Sequence, residues 1–238
     1  MPEGAPRDLH AYLPIVVAST PASARQEKVA IALVLGIAAA TAALAPFAHI
    51  RLARIDSFLP AMQTTLSAAD LLTAALLMAQ YLIQPQRGLL ALGCGYICSG
   101  LFAFLQTLAF PGAYAPLGLI GDGFNSPPWF FVLWHTTFPL RSLVYALLKD
   151  SKGDATLAGG SPAQTLCATV AAVLGLAAML SWLAAAGSAY LPKMYSDNVT
   201  VQTQFSVQVN TALSLWCGIV LVVLFMVLDL WLVVVLAA

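Results

Sequence analysis

Trp129–Leu148 reads WFFVLWHTTFPLRSLVYALL, and this stretch decides the fold. It has the length of a membrane-crossing helix, which needs roughly 20 apolar residues. Yet it carries His135, Pro139 and Arg141 where hydrocarbon is expected. An ionisable side chain inside a span costs about 3 kcal/mol, so such residues are candidates for function. A proline within a helix leaves a carbonyl without its N–H partner and favours a kink. Trp129, Phe130, Phe131 and Trp134 crowd the start, as aromatics do where a helix enters the headgroup layer. The rest of the chain reads as the wall around this helix.

The whole sequence supports that reading. Of 238 residues, 61% are hydrophobic and 8% are charged, with a mean hydropathy of +0.87. Soluble domains carry about 25% charged residues, so the chain is an all-α, polytopic transmembrane bundle. No basic patch is present, which argues against nucleic acid as a partner. Cys94, Cys98, Cys167 and Cys217 all lie in apolar runs and imply no secreted disulfide framework. Cys94 and Cys98 share a helix face, but buried small hydrophobes are their simplest role.

Working outward, spans are expected at about Val29–Phe47, Met62–Ile83, Leu89–Phe110, Trp129–Lys149, Leu166–Ala186 and Val207–Phe225. Residues 1–28 form a cytosolic or interfacial leader, and Thr20-Pro21 suggests a helix start. Gly93, Gly95, Ser99 and Gly100 in the third span permit close helix packing. PGAYAPLGLIGDGFNSPP, before the central helix, is expected to fold back as a cap; its glycines follow no strand and make no nucleotide motif. DSKGDATLAGGSPAQ is the expected internal boundary. The apolar run from Val207 to Ala238 would be about 48 Å long as one helix, against about 30 Å of hydrocarbon. A turn near Asp229 and the start of a seventh span follow, giving about six complete spans and a C-terminally truncated domain over 29–238.

Basic residues set the orientation. Arg7, Arg25, Lys28, Arg87, Lys149 and Lys152 fall on one side; Arg51, Arg54 and Lys193 fall on the other. The excess places the N-terminus in the cytoplasm. Asp70 and His135 then lie at similar depth from the outer face, with Gln106 and Asn210 near that level. Together with Trp134 they either line a shallow ligand pocket roofed by the Gly/Pro loop, or form a structural polar cluster in which Asp70 and His135 pair with each other or with serines. Arg141, past the Pro139 hinge, either snorkels to the cytosolic headgroups or meets an acid. No P-loop, nucleophile elbow or HExxH pattern is present, so no catalytic residue is assigned. No metal site is assigned and no cofactor is indicated: only His135 lies deep enough for a haem ligand, where a methionine such as Met62 or Met78 would have to be the second. A small transporter or channel, or a haem or metal redox protein, are the alternative classes.

The run FLQTLAFPGAYAPLGLIGDGFNSPPWFFVLWHTTFPLRSLVYALLK resembles the fourth type of membrane-associated sensor domain, the MASE group. So do LPIVVASTPASARQEKVAIALV, APFAHIRLARIDSFLPA, DLLTAALLMAQYLI and VLDLWLVVV, which extends the resemblance from about Pro14 to the end. Asp70, Pro111, Gly112, Pro116, Gly118, Trp129, His135, Pro139, Tyr145 and Lys149 fall on family-like positions. Arg141 stands where an apolar residue is usual, Asp122-Gly123-Phe124 replaces a blander stretch, and the arginines usual before LDLWL are missing. The resemblance implies a bacterial inner-membrane sensory module, fused to a histidine kinase or diguanylate cyclase (GGDEF) output domain and working as a homodimer. Its contacts would be the lipid bilayer and an unknown small ligand or membrane signal. Pro139, Arg141 and Asp229 would relay the response.

Overall fold

The computed structural model describes residues 23–47, 50, 57–148, 156, 160–196 and 201–227. Within these the chain is helical: α1 (Ala24–Leu44), α2 (Phe58–Ile83), α3 (Arg87–Ala109), α4 (Ser126–Leu148), α5 (Pro162–Ala185) and α6 (Gln204–Val227). All but α4 are long and apolar enough to cross a membrane. At 23 residues α4 also has the length, but its histidine, threonines, prolines and arginine make it less apolar. Asp229 and the expected seventh span lie outside the described residues.

Each helix starts two to five residues before its apolar run. The first turn of a helix has N–H groups with no intrahelical acceptor, so polar residues belong there. At α5, Ser161 Oγ accepts from Gln164 N (3.2 Å) while Ser161 N donates to Gln164 Oε1 (2.9 Å), with Pro162 in the first turn. Ser23 and Gln26 form the same reciprocal cap on α1, which starts at Ala24; Thr20-Pro21 lies outside the described residues.

The chain divides into two compact units, residues 1–54 and 55–238. The first contains α1, whose exposed face includes Leu33, Val34 and Ile37. The linker 150–164 is thus not the boundary expected from composition; both of its flanks belong to the second unit. In that unit α3 packs on α2, α4 and α5, and α4 also packs on α6. Phe102 and Ala109 of α3, Phe130 of α4, and Ala177 and Ala184 of α5 form the core.

Lipid is as apolar as leucine, so close van der Waals contact has to hold such helices together. The small residues of α3 supply it. A methyl on Gly93 would meet Met78 Cε at 2.7 Å, and one on Gly100 would meet Asp70 Cβ and the Ser67 carbonyl oxygen at 3.2 Å. Ser67 Oγ donates to the Gly100 carbonyl at 2.8 Å. Gly95 faces α4 instead, where Arg141 fills the space its side chain would need. Large apolar residues such as Leu72 and Leu221 remain exposed, as the lipid-facing surface requires.

Candidate functional site

Asp70 lies 12 residues past the start of α2, Ser99 lies 12 past the start of α3, and Arg141 lies 15 past the start of α4. At 1.5 Å per residue these are about 18 to 22 Å along their helices, near the middle of each. They meet there. Trp134 Nε1 donates to Ser99 Oγ at 3.0 Å, and Ser99 Oγ donates to Asp70 Oδ2 at 2.5 Å. Arg141 Nη1 stands 3.9 Å from the same Oδ2. One polar path therefore leaves α4, crosses α3 and α2, and returns to α4 seven residues further on.

Arg141 does not snorkel; it meets an acid. Its side chain is 2% exposed, against 16% for Asp70. The guanidinium lies between the ring of Tyr96, 3.7 Å from the centroid, and that of Phe138, at 4.2 Å. Phe138 is itself half-exposed, so it separates the cation from lipid. Attraction across such a gap is worth about 4 kcal/mol at an effective dielectric of about 20. Holding two charges in a span costs about 5 to 7 kcal/mol. A desolvated cation–π contact, about 2 kcal/mol, closes most of the difference. The pair is thus tolerated rather than strongly stabilising. Nη1 has no hydrogen-bond partner among the described residues, so the ion pair is not drawn up to contact.

The other expected residues go elsewhere. His135 Nδ1 lies 2.9 Å from the Phe131 carbonyl of its own helix, which places the proton on Nδ1. Its ring stacks on Phe131 at 3.7 Å and meets Trp134 at 4.4 Å, and its described contacts do not include Asp70. Gln106 accepts from Gln63 Nε2 at 2.8 Å, and Thr107 Oγ1 donates to Gln63 Oε1 at 2.6 Å; this closes a second α2–α3 clasp. Asn210 reaches Ser206 on its own helix at 3.5 Å. Pro139 is buried within α4, two residues before Arg141. Lacking an N–H, it leaves the His135 carbonyl without its usual helical donor.

The loop before α4 is an ordered cap. Leu119 N donates to the Leu108 carbonyl at 2.7 Å, which folds the loop back on the end of α3. Gly118, Gly121 and Gly123 have φ of +86°, +75° and +72°, a region that suits glycine. Those turns bring Asp122 to the head of α4, where Oδ1 accepts from the N–H groups of Phe124, Asn125 and Ser126 at 3.1, 2.8 and 2.9 Å. Burial pushes its carboxyl up, but these donors and the Ser188 hydroxyl outweigh it, so its pKa lies below the ordinary value. Asn125 then ties α4 to the loop before α6. Its Nδ2 reaches the carbonyls of Ser188 and Pro192, both at 3.3 Å, while Oδ1 accepts from Met194 N at 3.0 Å.

Sequence reasoning allows Asp70 a serine partner, and the structure identifies it as Ser99; Gly95 and Ser99 at i and i+4 share one face of α3. Sequence reasoning missed Gln63 because a single glutamine near a helix start carries no signal. Among the described residues, no group of three or more His, Cys, Asp or Glu could hold a metal ion. No curated protein and no solved structure matches the chain. The family model described as a membrane-associated sensor, integral membrane domain (MASE4) matches residues 53–238, from about where the second compact unit begins. The resemblance read from sequence reached back to about Pro14, whereas α1 lies outside the match. With well over half of its length covered, the chain belongs to the MASE4 family of membrane-associated sensor domains.

Proposed function

We propose that this chain is the sensory module of a bacterial inner-membrane receptor. Its N-terminus is cytoplasmic, and it passes a signal from the membrane or its outer face to a fused histidine kinase or diguanylate cyclase domain in a homodimer. The observation that carries this reading is the weakly closed Asp70–Arg141 pair beside Pro139. An ion pair held short of hydrogen-bond contact, next to a break in the helical ladder, is an element that two arrangements of α4 can satisfy. A signal shifts such an equilibrium only by favouring one arrangement over the other. Asp70, Trp134, His135, Gln106 and Asn210 are the polar groups inside the bundle that a ligand could engage, and Pro139, Arg141 and Asp229 are the relay.

The intact receptor tests this. Asp70→Asn and His135→Ala are each expected to change kinase or cyclase output per receptor molecule in the membrane. Unchanged output in both variants would overturn the reading. A coding region that stops at Ala238 would remove the fused output domain from it.

A further inference from the structure

The loop before α4 is apolar on its inner and its outer side. Between residues 111 and 125 the only charged residue is Asp122, and its carboxylate is taken up by the N–H groups at the head of α4. Ile120 turns inward and packs against the core formed by Phe102, Ala109 and Phe130. Tyr114, Leu117 and Leu119 turn outward, each more than half exposed. A loop between core and water would show polar side chains on its outer side. A contiguous apolar patch there marks a surface that a membrane or another molecule covers.

The level of the cap in the fold says which. Leu119 N donates to the Leu108 carbonyl at 2.7 Å, and a methyl on Gly118 would overlap the Ala109 carbonyl. A methyl on Gly121 would stand 3.6 Å from Cα of Ala185. Ala109 and Ala185 are the last residues of α3 and α5, two helices long and apolar enough to cross a membrane. The cap therefore lies beside the ends of those spans rather than beyond them. Trp182 and Tyr190, both exposed, bracket Ala185 in sequence, and such aromatics gather where spans meet the headgroup layer. The outward face of the cap thus continues the lipid-facing surface of the bundle. Its backbone suits that place, where unpaired N–H groups are costly. Pro111 and Pro116 have no N–H, and the N–H groups of Gly112, Ala113, Gly118 and Leu119 are donated within the cap or to the end of α3.

We propose that the cap is a lipid-contact surface, with Tyr114, Leu117 and Leu119 set into the boundary between the headgroups and acyl chains of the leaflet at this end. Residues 111–125 contain no lysine or arginine, so the contact is with acyl chains and the glycerol region and not with an anionic headgroup. Asp122 and Asn125 join the cap to the head of α4 and to the segment before α6, so the surface links lipid directly to α4. It stands independently of the sensor reading.

The test is site-directed spin labelling of the 238-residue chain in phosphatidylcholine nanodiscs. Cys94, Cys98, Cys167 and Cys217 are replaced by alanine, and a nitroxide is attached at Leu117→Cys or Leu119→Cys. Leu72→Cys, on the exposed face of α2, is the lipid reference; Thr156→Cys, exposed in the polar linker, is the water reference. Circular dichroism and melting temperature confirm that each variant is folded. Power saturation should show both cap positions more accessible to oxygen than to a water-soluble nickel chelate, as at Leu72, with the labels about 5 to 10 Å below the phosphates. Preference for the chelate at either cap position, as at Thr156, would overturn the proposal. So would exclusion of both reagents, since protein and not lipid would then cover the cap. A second measurement needs no substitution: phosphatidylcholine with a photoreactive diazirine near its glycerol should form adducts on residues 112–121 of the unmodified chain. Adducts confined to the spans would overturn the surface.

Discussion

Gly95 of α3 and Arg141 of α4 compete for one volume: a Cβ on Gly95 would overlap the Cβ of Arg141 and lie 2.7 Å from its Cδ. The arginine reaches Asp70 only because the neighbouring helix has no side chain there. Gly95→Ala should therefore destabilise the bundle by about 1 to 3 kcal/mol, the usual cost of overpacking. Gly175 of α5, with nothing within 4 Å of its Cβ position, is the control. Gly175→Ala should be neutral or stabilising by up to about 1 kcal/mol. Equal melting temperatures for the two variants would contradict the close approach of α3 and α4.

Removing one member of the Asp70–Arg141 pair should cost more than removing both. Asp70→Asn leaves a guanidinium that is 2% exposed without its counter-ion, and breaking such a pair costs about 3 to 5 kcal/mol. Asp70→Asn with Arg141→Met removes the uncompensated charge and should recover a large part of that loss. The measurement is a double-mutant cycle of unfolding in detergent. Additive losses would show that the two charges do not act as a pair.

The fold was legible because membrane helices advertise themselves by length and hydropathy, and all six expected helices are present. Helix starts were less legible, since capping residues such as Ser161 and Gln164 are polar and lie outside the apolar run. Among the polar groups, depth could be counted along each helix, but the direction a side chain faces could not. A register difference of one residue turns a side chain by about 100°. Counted depth puts Asp70 and His135 at one level, which suggests contact. The structure instead gives Asp70 to Ser99 and Arg141, and gives His135 to the Phe131 carbonyl. The tie made by Asn125 spans more than 60 residues of sequence and leaves no periodic trace.

Asn125→Ala should loosen the end of the bundle where α4 begins while leaving the spans intact. The side chain gives up an acceptor for Met194 N and donors to the Ser188 and Pro192 carbonyls. Leaving such partners unsatisfied costs about 1 to 3 kcal/mol. Limited proteolysis should cut the segment between α5 and α6 faster in the variant, with helix content unchanged. Identical cleavage rates would show that Asn125 is not what holds that segment.

Asp122 should give the protein a stability term that disappears in acid. Its folded pKa lies below the ordinary value of 3.8, so the ionised carboxylate is favoured by folding. The contribution is then complete above the unfolded value and is lost as pH falls through the folded one. Asp122→Ala removes the cap on α4, at a cost of about 1 kcal/mol, or about 2 to 4 °C in melting temperature for a domain of this size. The gap between wild type and variant should be constant from neutral pH down to about 5, and should narrow below about 4 as the carboxylate takes up its proton. A gap that persists unchanged at pH 3 would mean that the three N–H groups at the head of α4 do not depend on the charge of Asp122.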